Sequence, residues 1–346
     1  MTISTLSILS APRQSIYESQ RQLLDAQTEL STGRHADVGL HLGGRISEVI
    51  GLRNGFDRNH AIIDMNGLAA TELDLTQSAM NSLADVAHQF SAALIGARNA
   101  VNGQEVVKTA AKSALESFTA ILNQTHSGKF LFAGINSDVA PIESYLSTPP
   151  SAGKTAVDAA FLAEFGVTQS SAGAGSITSA QMDTFLNGTF AALFTPAAWS
   201  PTFSSASDQN RTARVNTDDS IEVSANANES AFRDFAMAIT MAFDAGTGSL
   251  NQGAFEKIID KSVAVSAAST QEISLISGRL GTAEKRIADS TEQLKQRNEI
   301  LNREIVSLEG VDQYEVSTRV NTLTTQLESS YSITARISRL SLMNYL

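Results

Sequence analysis

Residues 280–308 read LGTAEKRIADSTEQLKQRNEILNREIVSL, with an apolar side chain at every seventh position. These positions are Leu280, Ile287, Leu294, Leu301 and Leu308. The same spacing occurs near the other end of the chain, at Leu9, Ile16, Leu23 and Leu30. A sustained seven-residue apolar repeat keeps one seam of a helix facing a partner, so it is typical of helices that supercoil around each other. The two ends of the chain are therefore predicted to build one helical body.

Working inward from these ends, apolar periodicity predicts further helices. Between residues 62 and 101, apolar and small residues alternate spacings of three and four, which predicts one helix of about 40 residues, roughly 60 Å long. A second helix is predicted over about 104–126. Residues 33–55 contain six glycines, so we expect a loop or broken helix there, with a short helical turn around 46–52. After the middle of the chain, helices are predicted over about 229–244, 255–308 and 316–337.

The middle of the chain has a different character. Five of the six prolines lie between residues 141 and 201, and proline breaks helix interiors. A helix is expected at 179–193 and short strands at 214–216 and 220–224. The predicted fold is mainly α, a long antiparallel helical bundle or coiled coil formed by both chain ends, with a small mixed, β-containing inserted domain. The predicted parts are a terminal coiled-coil segment (1–60 with 311–346), a long-helix bundle (61–132 with 229–310) and an inserted outer domain (133–228).

Composition narrows the range of functions. The net charge is −11 and there is no cysteine, which excludes disulfides and zinc–thiolate sites. Residues 133–230 carry three basic and ten acidic side chains, whereas residues 1–60 carry six of each. No basic patch suggests nucleic-acid binding. No apolar run is long enough to span a membrane. The first residues lack a secretory leader, so if the protein leaves the cell, another export route is expected.

Candidate chemical motifs are incomplete. Residues 151–155 (SAGKT) resemble the end of a phosphate-binding loop, but Thr148 stands where that motif needs a glycine, so a flexible loop is the expected structure. His35 and His41, with Asp37 between them, offer too few ligands for a metal. The acidic side chains of the last long helix alternate with basic ones, as on a solvated face. We therefore predict no catalytic residues, cofactor or metal, and no enzyme activity.

Several segments resemble the flagellin family, the subunits of the bacterial flagellum. Residues 30–34 (LSTGR) resemble the family's LSSG segment after the first helix, and residues 62–101 resemble the long helix that follows. Residues 312–346 resemble the terminal helix. Within the family, residues 128–134 (GKFLFAG) and the tail 340–346 (LSLMNYL) are most similar to the subfamily at the hook–filament junction.

The resemblance implies a structural subunit that joins hook to filament through axial packing of its terminal helices. It also implies unfolded export by the flagellar type III apparatus, without a cleaved signal peptide, and a place outside the cell. Implied partners are other copies of the chain, hook-associated protein 1, flagellin and a cytoplasmic export chaperone. The expected assembly residues are apolar positions of the first and last helices: Leu9, Ile16, Leu23, Leu30, Val316, Val320, Leu323, Leu327, Ile337, Leu340, Leu342 and Leu346. The alternative for them is an ordinary coiled-coil core within one chain.

Other functions remain open at this point. The nearest alternative is flagellin itself, the subunit of the filament. A soluble signalling module is another, because cytoplasmic receptor hairpins also carry long seven-residue repeats. Such hairpins are continuous across a tight tip, whereas this chain has a proline-bearing insert of about 95 residues there, which argues against this alternative. An enzyme is the least favoured possibility.

Overall fold

The structure is a computed structural model that describes the backbone of residues 5–343 and the side chains of residues 13–336. The helices in this part are α1 (Thr5–Thr32), α2 (Val38–Leu42), α3 (Ile46–Ala97), α4 (Gly103–Leu122), α5 (Ala152–Phe165), α6 (Ser179–Asn187), α7 (Thr189–Ala192), α8 (Pro196–Thr202), α9 (Ser230–Asp244), α10 (Gln252–Glu309) and α11 (Gln313–Met343). The strands are β1 (Thr125–His126), β2 (Lys129–Phe130), β3 (Thr212–Arg214) and β4 (Ser220–Glu222). The predicted fold class, mainly α with a small β-containing part, is confirmed.

The described chain divides into two compact units. The first unit is Met1–Ala61 with Gln293–Leu346, and the second is Ile62–Glu292. The division into three parts predicted above stays a prediction.

In the first unit, the first and last helices of the chain lie side by side. Ala26 of α1 packs with Val316 and Leu323 of α11 in a small buried cluster. The start of α3 packs against the end of α10, where the side-chain amide of Asn59 donates to Asn298 Oδ1 at 3.0 Å. The pairing of the two chain ends, expected from their seven-residue repeats, is therefore present within one chain.

The broken helix predicted as one alternative for residues 33–55 is present, but the helical turn predicted around 46–52 is the start of the long helix α3. Only residues 33–37 are irregular before α2, a 3-10 turn follows at Gly43–Arg45, and α3 begins at Ile46. Glycine in a helix interior costs about 1 kcal/mol relative to alanine, which packing outweighs here. Val49 and Asn59 are buried on one side of α3, and a Cβ on Gly55 would lie in ordinary contact with Leu301, at 3.6 Å.

The second unit has one large core, to which the long helices contribute stripes of the predicted spacing. Every predicted stripe position of α3 from residue 73 to 97 is buried, whereas Val101 lies in the turn after α3 and is exposed. Phe235 of α9 meets Phe90 of α3 and Phe118 of α4 edge-on, with ring centroids 6.2 and 5.9 Å apart.

The inserted residues share this core. They contribute seven buried aromatic side chains, most of them from α5–α8: Tyr145, Phe161, Phe185, Phe190, Phe194, Trp199 and Phe203. The helix expected at 179–193 is divided into α6 and α7 at Gly188. The two expected strands form the antiparallel hairpin β3–β4. β3 lies two residues earlier than predicted, and β4 begins at the predicted residue and ends two residues earlier. Aromatic packing therefore orders a region where sequence periodicity is weak.

Residues 128–134 form part of this core. Gly128 has a positive φ of 78° in the tight turn between β1 and β2, which glycine adopts without strain. After the hairpin, Phe132 is fully buried edge-on against Phe232, with centroids 5.7 Å apart. Its carbonyl accepts from the Ala227 N–H at 2.8 Å. The motif thus ties the end of α4 to the residues that precede α9.

Candidate functional site

The predicted assembly residues with described side chains lie mostly along the contact between α1 and α11. Wholly or partly buried there are Ile16, Leu23, Val316, Val320, Leu323 and Leu327. Leu30 is 37% exposed. The side chains of Leu9, Ile337, Leu340, Leu342 and Leu346 lie outside the described residues. The buried positions therefore pack within one chain, as the coiled-coil alternative expects, and their part in assembly stays a prediction.

A second apolar stripe lies next to this contact and faces outward. Tyr17 and Leu24 of α1 are 71% and 63% exposed. They directly follow Ile16 and Leu23, so that each inward-facing residue has an outward-facing apolar neighbour. Tyr331 of α11 is also exposed and lies across from Leu24. We call these three residues the outer stripe. The seven-residue repeats do not include them, although the apolar doublets at 16–17 and 23–24 indicate a helix that packs on two sides.

A groove runs between the two helices at the outer stripe. Its volume is about 450 Å³, and it is lined by Gln20, Leu23, Leu24, Thr324, Leu327, Glu328 and Tyr331. The side-chain amide of Gln20 donates to the Tyr331 hydroxyl at 2.5 Å, which links the two walls of the groove. The groove is therefore a mainly apolar surface of the paired terminal helices that nothing in the described chain covers.

The two linkers that follow α1 and α10 pair with each other in the first unit. Gly33, with φ of 69°, ends α1, and its N–H donates to the Glu29 carbonyl at 2.8 Å. The His35 N–H donates to the Glu309 carbonyl at 3.0 Å, and the Val311 N–H donates to the Gly33 carbonyl at 3.1 Å. These backbone bonds hold the linkers together where the chain enters and leaves the terminal helix pair.

Glu309, the last residue of α10, lies beneath these linkers. Its side chain is 1% exposed and accepts two hydrogen bonds from Arg53 of α3, at 2.9 and 2.6 Å. Arg34 Nη1 approaches it at 3.5 Å. The hydrogen bond to Glu309 raises the pKa of the Arg53 guanidinium, although burial acts against it. We call Arg34, Arg53 and Glu309 the junction cluster. No pattern in the sequence indicates this cluster, because Arg53 and Glu309 are 256 positions apart.

A neighbouring cluster surrounds Glu29 of α1. This carboxylate is only 7% exposed, accepts from Arg319 of α11 at 3.0 Å and from the Ala36 N–H at 3.2 Å, and lies 3.5 Å from His35 Nδ1. His35 and His41 stack with ring centroids 3.6 Å apart. No group of three or more His, Cys, Asp or Glu suited to a metal ion occurs in the part of the chain that the structure describes.

The SAGKT segment is a helix start, so the expectation of a flexible loop is wrong. The buried Ser151 caps α5, its hydroxyl oxygen accepting from the Lys154 N–H at 3.1 Å. Lys154 forms ion pairs with Asp158 and with Asp244, the latter at 2.9 Å. Burial raises the pKa of the Asp244 carboxyl, although hydrogen bonds from Tyr145 and Lys154 act in the other direction. The lysine is thus already engaged by two carboxylates within the chain.

Comparison with known proteins places both chain ends in one family. The family model for the bacterial flagellin N-terminal helical region matches residues 3–137, and the model for the C-terminal helical region matches residues 264–346. A solved structure from Vibrio parahaemolyticus, proposed to be a flagellar hook-associated protein, is 12% identical, with a TM-score of 0.42, over 74% of this chain and 95% of that chain. No curated protein matches. None of the described helices is both long and apolar enough to cross a membrane.

Proposed function

The chain belongs to the bacterial flagellin family, whose members are structural proteins of the flagellum, and we propose that it joins hook to filament. The finer part of this proposal is supported by residues 128–134 and 340–346, which resemble hook-associated protein 3, the junction subunit. In this proposal the chain has a structural role and no catalytic activity.

The single observation that carries the proposal is the uncovered outer stripe on the paired terminal helices. Large apolar side chains that face water in a row are typical of surfaces that bind another protein. Flagellin-family proteins self-assemble into flagellar polymers. We infer that terminal helices of further copies pack against Tyr17, Leu24 and Tyr331, while the inner residues hold α1 and α11 together.

The charge of the terminal segments favours close packing between copies. Residues 1–60 carry six basic and six acidic side chains, and residues 311–346 carry three of each. Segments without net charge repel one another little when several are brought together along an axis. The acidic excess of residues 133–230, three basic against ten acidic side chains, is consistent with an outward position in solvent.

The proposed partners follow from the same role. A subunit between hook and filament contacts other copies of itself, hook-associated protein 1 on one side and flagellin on the other. We also propose export through the flagellar type III apparatus without a cleaved signal peptide, with a cytoplasmic chaperone that binds the chain before export. Its location is then the extracellular part of the flagellum.

The experiment that tests the junction role is deletion of this chain from its own bacterium. The expected result is a cell that keeps its hooks, lacks filaments and releases flagellin monomers into the medium, because filament subunits have nothing to assemble on. Normal filaments and motility in the deletion strain would refute the proposal.

The second candidate function is that of the filament subunit itself. It is favoured by the matches at both chain ends, which are to bacterial flagellin helical regions. Purified chain added to hook-bearing seeds separates the two roles. A filament subunit elongates with time and concentration, whereas a junction subunit stops after a layer of fixed height, as seen by electron microscopy.

A further inference from the structure

Glu309 lies where three separate segments of the first unit meet. It ends α10, its carboxylate binds Arg53 of α3, and it lies near Arg34 of the linker that follows α1. Its backbone carbonyl also accepts from the His35 N–H. A carboxylate that is 1% exposed is costly unless it is paired and hydrogen-bonded. Here Arg53 compensates the charge with two hydrogen bonds, and Arg34 adds a second positive charge at 3.5 Å.

Gly310, the residue after Glu309, restricts the path of the backbone at this point. A Cβ on Gly310 would lie 2.5 Å from the Val306 carbonyl oxygen, closer than real side chains approach. The chain can therefore pass Glu309 on this path only with glycine at position 310. The Val311 N–H then donates to the Gly33 carbonyl at 3.1 Å, so the linkers that follow α1 and α10 are held side by side.

The apolar contact between α1 and α11 does not by itself fix the angle between this helix pair and its neighbours in the first unit, the start of α3 and the end of α10. Among the described side chains, its buried cluster consists of Ala26, Val316 and Leu323, aliphatic residues whose contacts are not directional. A bidentate arginine–carboxylate pair has a fixed planar geometry. The Arg53–Glu309 pair has this geometry, at 2.9 and 2.6 Å, and it lies at the base of the helix pair.

We propose that Glu309 is a positioning residue, which fixes the direction of the α1–α11 pair relative to the parts of α3 and α10 in the same unit. It acts through Arg53 and Arg34, which join the last residue of α10 to α3 and to the α1 linker. The inference rests on the proposed function, because a defined direction matters when the helix pairs of many copies pack along one axis. A chain with a loosened junction cluster then folds but presents its outer stripe in variable orientations.

The test compares Glu309→Gln with wild type in two measurements. Glutamine keeps the shape of the side chain and loses the charge that both arginines bind. The chain has no cysteine, so spin labels can be placed on Gln27→Cys in α1 and Arg58→Cys in α3, both exposed positions of the first unit. The first measurement is the distance distribution between these labels in the monomer. The second is incorporation into flagella in a strain that lacks the native chain.

The matched control is Asp260→Asn. Asp260 of α10 binds Arg98, the residue directly after α3, through two hydrogen bonds at 2.9 and 3.1 Å, so the control removes the same type of arginine–carboxylate pair at an exposed site in the second unit. We expect a narrow distance distribution in wild type and in the control. Glu309→Gln should broaden it and lower incorporation at least about tenfold, since breaking a buried pair leaves its charges uncompensated.

Arg53→Lys provides a second variant that keeps the charge and loses the planar fork, so it should broaden the distribution even if Glu309→Gln does not fold. An unchanged distribution in a folded variant overturns the inference, and so does reduced incorporation without any change in distance. If wild type itself is not incorporated, the proposed function fails, while the distances still decide whether Glu309 positions the helices.

Discussion

At the scale of single residues, Glu29 and Leu30 have the opposite of the burial that their polarity suggests. Glu29 is 7% exposed and Leu30 is 37% exposed. The carboxylate of Glu29 is stabilised by Arg319 and by the Ala36 N–H, which offsets the cost of removing a charge from water. Leu30 lies on the side of α1 that the chain does not cover. An apolar repeat predicts which side chains are buried, but at some positions burial depends instead on ion pairs between residues far apart in sequence.

Leu24 tests whether the outer stripe serves assembly. Leu24→Glu places a charge in the groove and should lower incorporation into flagella at least about tenfold, because burying a leucine contributes roughly 1.5–3 kcal/mol. Circular dichroism of the monomer should be unchanged, since Leu24 is exposed in the free chain. Gln14→Glu adds the same charge to an exposed position of α1 that does not line the groove, and it should incorporate normally. Equal incorporation of both variants would contradict an assembly role for the groove.

Asp260 gives a prediction for pH dependence. Hydrogen bonding from Arg98 lowers the pKa of the Asp260 carboxyl. The folded state therefore binds a proton less readily than the unfolded state, so this pair stabilises the fold above the unfolded pKa of about 3.9. That contribution is lost as the pH falls through the lower, folded pKa. Urea titrations at several pH values should show Asp260→Asn less stable than wild type near neutrality and equal to it in strong acid. A constant difference at every pH would exclude this origin.

At the scale of elements, the sequence pattern underestimates the length of α3 at its glycine-containing start, whereas it predicts α10 over nearly its full length. The α3 helix begins at Ile46, where only a short helical turn is predicted, and α10 continues through Gly278 and Gly281 as expected. Glycine lowers helix propensity by a modest amount per residue, whereas a long stripe of buried side chains adds a contribution at every turn. Whether a helix continues through a glycine depends on the sum of these free-energy contributions along the helix. That sum can be evaluated only when the packing partner of the helix is known.

Glycines in the long helices provide an element-scale prediction. A Cβ on Gly67 of α3 or on Gly278 of α10 would meet no atom within 4 Å. Replacing either with alanine should raise the free energy of unfolding by about 0.5–1 kcal/mol, because alanine loses less backbone entropy in a helix. Gly103→Ala is the contrasting variant. Its Cβ would lie 2.0 Å from the Ala97 carbonyl oxygen, so this substitution should destabilise the second unit. Thermal unfolding of the three variants measures both effects.

At the scale of the whole molecule, the two units differ greatly in the core that each contains. The second unit has a large core with many buried aromatic side chains, from Phe90 to Phe255. Among the described side chains, the buried cluster between α1 and α11 consists of the aliphatic residues Ala26, Val316 and Leu323, with Leu23, Val311 and Val320 partly buried beside it. This cluster contains no aromatic side chain, so we expect it to stabilise the helix pair less than the large core stabilises the second unit. Contacts with partner copies should stabilise the pair further.

Hydrogen exchange should reveal this difference in the free monomer. We expect amides of α4 and α9 to be strongly protected, and amides of residues 13–32 and 313–336 to exchange faster, through brief openings of a terminal pair that stays paired most of the time. In assembled flagella the same terminal amides should become more strongly protected. Equal protection of both sets in a dilute monomer would show that the terminal pair opens no more often than the core of the second unit.

The sequence by itself determined that the chain is mainly helical, that its ends meet and that the two terminal helices have apolar seams. These properties depend on local spacing, since side chains three, four and seven positions apart share a helix face whatever the partner. The tertiary structure decided which of two neighbouring apolar stripes faces inward, how the aromatic side chains of the insert join the core, and where Glu309 finds Arg53. Those outcomes depend on contacts between residues far apart in sequence. The free energies of such contacts cannot be read from a local sequence pattern.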